Sequence, residues 1–277
     1  MVTERVQTLT LDSRPVSLAE WFRGLWRFRG VLVALSRKDF QVRYKRASLG
    51  VLWSVALPLF QSIVMVFIFS RVGGFGAGRT FSYAGFVLAG MVPWVFVSTS
   101  ILASTTSIVD ASGLTDKVWF PRAIVALVPP CANLLLLGTS AAILLAELPV
   151  VGAPLRPRLL LLIPASVLAV AFASAVGLLL AALYVYFRDL KFMVAAAVIV
   201  WLYLTPIVYP ASSLHSAGPW LDFNPLTAIV SLFQTASVGS PAPSARALLV
   251  SVGVTAVLTV LAVAVHRRHD RLFVDLL

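Results

Sequence analysis

Residues 37–54 read RKDFQVRYKRASLGVLWS, and after them the charge stops: Val55 to Ser70 carries no ionisable side chain. Five cations, Arg37, Lys38, Arg43, Lys45 and Arg46, therefore stand against the start of an apolar run. Hydrocarbon rejects charge while anionic headgroups attract it, so this is how a membrane-spanning helix begins on a positively charged side. Composition agrees: 60% of the 277 residues are hydrophobic and 12% charged, with a mean hydropathy of +0.94. Soluble domains are roughly half apolar and about a quarter charged. The net charge of +11 would suit nucleic acid only if a soluble surface displayed it, and here the cations lie between apolar runs. No nucleic-acid partner is expected. The lone Cys131 excludes a disulfide within the chain. No signal peptide is expected either, because a long, mostly polar region precedes the first apolar run.

A helix needs about 20 apolar residues to cross roughly 30 Å of hydrocarbon. Six runs meet that length, near 51–70, 81–108, 123–147, 159–187, 192–209 and 245–266. The expected architecture is an all-α integral membrane protein with a cytoplasmic region 1–50, a six-span domain 51–266 and a cytoplasmic tail 267–277. With the N-terminus inside, the inner segments hold 17 Lys and Arg and the outer ones five. Cations are retained on the cytoplasmic side, which places both termini in the cytoplasm. Two segments add detail. Asn224 to Gln234 is too apolar for a solvated loop and too short to cross, and prolines 219, 225, 241 and 243 bound it. It reads as a re-entrant hairpin between the fifth and sixth spans, which must be buried in protein or line a wet cavity. Near the N-terminus, Ser17-Leu-Ala-Glu20 fits a capping box. A helix from there puts Leu18, Trp21, Phe22, Leu25, Phe28 and Leu32 on one face and Arg23 and Arg27 opposite, the pattern of a helix lying in the membrane interface.

The chemistry is that of a conduit. Acids sit at span ends (Asp110, Asp116, Glu147, Asp189, Asp222), and none lies near the middle of a span. That opposes a proton-driven carrier, a membrane enzyme built on paired carboxylates, and a metal site. His266 and His269 beside Arg267 and Arg268 read as a solvated or lipid-facing cluster. Gly73-Gly-Phe-Gly-Ala-Gly-Arg-Thr80 mimics a phosphate loop, but Arg79 replaces the lysine and no strand precedes it. It is a turn, so the chain carries no nucleotide site.

Four junctions remain: Arg37 to Gly50 feeding the first span; Leu114-Thr-Asp-Lys-Val-Trp-Phe-Pro-Arg122 between the second and third; Phe187-Arg-Asp-Leu-Lys191 between the fourth and fifth; and Thr205-Pro-Ile-Val-Tyr-Pro210 followed by Asn224-Pro225. In this order they resemble the permease subunit of bacterial type-2 ABC exporters for polysaccharides, the group of O-antigen, teichoic-acid and galactan exporters. Lys38-Asp39 stands where Arg-Asp is commoner. The resemblance implies a homodimer of six-helix chains with two copies of a separate ATPase subunit, which holds ATP and Mg, and no cofactor in this chain. It implies a glycan on an undecaprenyl-pyrophosphate-type lipid as cargo. It also makes Asp110 to Phe120 the segment that docks on the ATPase, with Asp110, Leu114, Asp116, Lys117, Val118, Trp119 and Phe120 as contact residues. An exporter of a drug or other small lipophilic molecule is the alternative within the same fold class.

The opening stretch then has two readings. Membrane lipids attract its cations in any case. Arg43, Tyr44, Lys45 and Arg46 beside Leu49 and Gly50 are also candidates to hold a lipid pyrophosphate, since a guanidinium fork pairs with phosphate oxygens. Tyr83, Phe86, Trp94, Trp201, Tyr203 and Tyr209 are candidates to stack on sugar faces, or else belong to interfacial belts.

Overall fold

A computed structural model describes residues 17–45, 52–71, 82–115, 118, 120–150, 156–213 and 218–269. Its regular elements are helices: α1 (Leu18–Arg27), α2 (Arg29–Tyr44), α3 (Trp53–Arg71), α4 (Tyr83–Asp110), α5 (Ser112–Thr115), α6 (Ala123–Ala132), α7 (Leu134–Val150), α8 (Leu162–Tyr186), α9 (Leu190–Leu204), α10 (Gly218–Leu221), α11 (Pro225–Val238) and α12 (Ala245–His269). The glycine-rich stretch 73–80 lies outside the described residues.

The centre is α4. In its most apolar 18-residue window 78% is buried, against 22% for α12, so α4 is the pillar and α12 faces outward. Phe86, Phe96, Met91 and Ile101 of α4 are fully buried and form one core with Phe172 of α8, Ile207 and Phe233. At about 1.5 Å per residue α4 is about 42 Å long, more than the hydrocarbon needs. Four helices are long and apolar enough to cross a membrane: Tyr83–Asp110, Ala123–Ala146, Pro157–Tyr186 and Ala245–Arg268. Leu59–Arg71, Leu190–Leu204 and Pro225–Val238 are shorter apolar helices.

Three sequence expectations change. The helix expected over 192–209 stops at Leu204, because Pro206 forces Thr205 into extended backbone (φ −104°, ψ 134°). His266, read as solvated or lipid-facing, is fully buried, its Nε2 2.9 Å from Leu178 O. The run 123–147 stands as one candidate span, Ala123–Ala146, with a one-residue turn at Asn133 between α6 and α7. Pro129 and Pro130 lack N–H groups, so the carbonyls four residues earlier lose their helical donors. Ser104 Oγ donates to one of them, Ala126 O, at 3.0 Å. Gly177 of α8 makes room for that hydroxyl, since a Cβ there would lie 2.8 Å from Ser104 Cβ. The third change is at the N-terminus. The capping box is present, with Glu20 N donating to Ser17 Oγ (3.2 Å) and Ser17 N to Glu20 Oε2 (3.0 Å), but α1 ends at Arg27 instead of continuing as one helix.

After α9 the chain reverses. Val238, the last residue of α11, packs on Gly85 at the start of α4, and Asn224 at the other end of α11 bonds to the end of α9. Gly239 closes α11 in the left-handed region (φ 74°) with the Arg158 guanidinium packed where a Cβ would go, and Arg158 Nη2 donates to Ser237 O at 3.3 Å.

Replacing Gly177 with Ala should lower stability by about 1–3 kcal/mol, because a Cβ there would lie 2.8 Å from Ser104 Cβ and Oγ and the two helices would have to shift apart. Thermal denaturation of the detergent-solubilised chain measures this, and an unshifted midpoint would contradict the packing. Hydrogen bonds from the Ser17 side chain and backbone hold the Glu20 carboxyl below its ordinary value. A depressed carboxylate stabilises above its unfolded pKa and stops doing so as pH falls through the folded one. Hydrogen exchange of the first α1 amides should therefore quicken relative to neighbouring helices on acidification below the usual carboxylate range.

Candidate functional site

The opening stretch ends in a polar chain. α2 lies along α6 in the same direction, with Ser36 Oγ donating to Val128 O (3.4 Å) and Arg43 Nη1 donating to Asn133 Oδ1 (2.9 Å). Arg43 Nη2 pairs with Asp39 Oδ2 one turn earlier, at 2.6 Å. Asn133, 2% exposed, turns its Nδ2 to Thr99 Oγ1 (3.2 Å) and Ser100 Oγ (3.0 Å) on α4. Asp39, Arg43, Asn133 and the Thr99–Ser100 pair thus join α2, the α6–α7 break and α4 in one hydrogen-bonded line. Asn133 suits such a line because a buried amide can both donate and accept. Its signal was present in the sequence as a lone amide inside the apolar run after Pro129-Pro130, but an amide has no charge to mark it.

Of the other pyrophosphate candidates, Tyr44 is the last residue of α2 and Lys45 is exposed just after it. Arg46, Leu49 and Gly50 lie outside the described residues. In the segment after α4, Asp110 accepts from Thr106 Oγ1 (2.6 Å), and Leu114 and Val118 are exposed. Phe120 is not: at 5% exposure it packs with Ile124 and Val125 against Leu25, Phe28, Val31, Leu32 and Leu35. Asp116, Lys117 and Trp119 lie outside the described residues.

The aromatic candidates divide. Tyr83, Phe86 and Trp94 are buried inside the chain, and Tyr83 Oη donates to Val208 O at 2.7 Å. Trp201 packs edge-on to Phe172 (5.9 Å between centroids), and its Nε1 donates to Asn224 Oδ1 at 2.9 Å. Tyr209 donates to Tyr203 O at 2.8 Å. Tyr203, 55% exposed, is the candidate among the six that presents an open ring.

The Thr205-Pro and Asn224-Pro elements interlock. Asn224 Oδ1 also accepts from Leu226 N (3.0 Å), capping α11, while its Nδ2 donates to Leu204 O (3.1 Å) and Thr205 Oγ1 (3.0 Å). Every hydrogen-bonding position of that amide is used. Beside it, the buried Gln234 Nε2 donates to Pro206 O (3.1 Å) and Ile207 O (3.3 Å). The apolar stripe of α1 also splits: Trp21 and Leu25 pack on α6, α8 and α12, while Leu18, Phe22 and Trp26, at 53%, 56% and 70% exposure, face outward.

Asn133→Ala should cost about 1–3 kcal/mol by leaving Arg43, Thr99 and Ser100 short of a partner. In a double-mutant cycle, Asn133→Ala with Arg43→Gln should lose less than the two single losses combined. Additive losses in thermal unfolding would mean that the line does not act as a unit.

Residues 31–237 match the model of the ABC-2 type transporter family. The chain is 27% identical over 239 residues to the O-antigen export system permease protein RfbA of Myxococcus xanthus, covering 85% of this chain and 91% of that protein. Two proteins of the same name from Klebsiella pneumoniae are 28% and 29% identical, each over 72% of this chain and 77% of their own length. The family match takes in α2 to α11, including the Arg43–Asn133 line, the segment after α4 and the Thr205–Asn224 interlock; this chain is a member of the ABC-2 type transporter family.

Proposed function

We infer that the chain is the membrane-spanning subunit of an ABC exporter that moves a lipid-linked polysaccharide across the bacterial inner membrane. The observation that carries this is the similarity to O-antigen export permeases along 91% of the length of one of them, within a chain whose apolar helices suit a multi-pass membrane protein. The glycan travels on a pyrophosphate lipid. Two copies of the chain assemble with two copies of an ATPase subunit that supplies ATP and Mg. Six spans are formed when α3 and α9 cross beside the four longer helices, and 210–243 enters and leaves on one side, with both termini cytoplasmic. The exposed Leu18, Phe22 and Trp26 rest in the membrane interface, while Trp21 and Leu25 tie α1 to the bundle.

Work enters at the segment between α4 and α6. Exposed Leu114 and Val118 form the apolar part of the docking surface, and an apolar patch on a connection needs a partner. Arg43 and Lys45 meet the lipid phosphates. Arg43 does so with the donors left free by Asp39 and Asn133, so headgroup binding and the line into α4 share one guanidinium.

Leu114→Asp and Val118→Asp should leave membrane insertion intact, abolish co-purification of the ATPase and stop export of the glycan to the cell surface. Phe120→Ala should act differently, costing about 3–5 kcal/mol as a core truncation and lowering the amount of folded chain. Export and ATPase retention at wild-type levels in both aspartate variants would overturn the docking assignment. A chain that complements a small-molecule exporter but no glycan exporter would overturn the choice of cargo.

A further inference from the structure

A groove runs between α7 and α8 from their joined ends toward the middle of the bundle. Ala141 and Leu145 form one wall, and Leu160, Ile163 and Val167 form the other. Its volume is about 780 Å³. That is within the 300–1,000 Å³ typical of sites that hold a small molecule. Its lining is almost wholly apolar except at one end, where Arg156 stands as the residue preceding the turn Pro157–Leu161. Arg156 is exposed; its carbonyl accepts from Leu159 N at 3.0 Å, and its guanidinium has no hydrogen bond or ion pair among the described residues.

Length and charge together point to an occupant. From Arg156 to Val167 the chain advances eleven positions. At about 1.5–2 Å for each this is roughly 17–22 Å. A hydrocarbon core of about 30 Å has leaflets of about 15 Å, so the groove is one leaflet deep. Its cation sits at the end where α8 begins, which is the headgroup level of that leaflet. A single guanidinium matches a phosphate diester, which carries one negative charge and offers two oxygens to the planar fork. A polyprenyl pyrophosphate would bring more charge than one Arg balances and a chain longer than one leaflet.

We propose that this groove is a binding site for one anionic phospholipid, with an acyl chain along α7 and α8 and the phosphate on Arg156. The site lies outside the machinery assigned above to cargo and ATPase, and it depends only on the chain spanning a membrane. It gives the start of α8 a fixed depth, and through Arg158 two residues on, it fixes the end of α11 as well.

Native mass spectrometry of the full chain in detergent tests this, with dioleoyl phosphatidylglycerol, dioleoyl phosphatidylcholine and a polyprenyl pyrophosphate offered in turn. The wild-type chain should retain one phosphatidylglycerol in preference to phosphatidylcholine. Arg156→Gln should weaken that retention about fivefold, the worth of one cation near an anionic surface. Arg156→Lys should keep only part of it, since an ammonium matches the charge but not the two-oxygen fork, and Ile163→Trp, which fills the groove and leaves the charge, should abolish it. Equal retention of the two phospholipids, preference for the pyrophosphate, or undiminished phosphatidylglycerol in Arg156→Gln would overturn the proposal. Should Arg156→Gln not fold, Ile163→Trp decides alone: loss of the bound lipid supports the site, and its persistence refutes it.

Discussion

A backbone carbonyl or N–H set free inside hydrocarbon has no water to turn to, and the chain itself must satisfy it. Among the described residues, that constraint accounts for several places where this bundle departs from plain helices. Ser104 answers the carbonyl that Pro130 leaves without a donor. Gln234 answers the carbonyls of Pro206 and Ile207, where α9 has stopped and no helix remains to pair them. Asn224 answers Leu204 and caps α11 with the same amide. Small residues are the counterpart of these polar ones. Gly177 admits Ser104, and Gly90 admits Gln234 and the backbone of Ile207, where a Cβ would lie 3.3 Å from Ile207 Cα.

The same device joins the bundle to its N-terminal helices. Apolar contacts hold α2 to the start of α6 through Phe120, Ile124 and Val125, and the Arg43–Asn133 line holds the far end of α2 to the end of α6 and to α4. With both ends of α2 fixed to α6, the two helices form one body.

Much of this was legible in the sequence because apolar runs and cations are strong signals. Helices stand at all six runs, and the Ser17–Glu20 box caps α1 where expected. Boundaries failed where the deciding force was not hydrophobicity. Thr205 ends α9 early for a steric reason that belongs to Pro206. Phe120 looked like a docking residue by its apolarity, but apolarity does not say which surface covers a side chain, and α2 covers this one. The aromatic candidates misled for the same reason. Tyr83, Phe86 and Trp94 have the ring chemistry to meet a sugar, and the core uses it first.

The core leaves apolar side chains unused on α3, α9 and α12, where Leu249, Val252, Val257 and Val260 are exposed. α9 buries only Val194 and Val198, and α3 exposes Phe60, Ile63, Val64, Phe67 and Ile68. A helix apolar on nearly every side faces lipid or another apolar surface. If a second copy closes on the α3 and α9 faces, few polar groups among the described residues are available to a passing glycan. Gln61 on α3 and Tyr203 on α9 are exposed. Such a wall can guide a sugar by contact with its apolar faces without fixing hydrogen bonds that would have to be broken at each step. Weak binding of that kind suits a conduit, because a polymer held tightly at one repeat would not advance to the next.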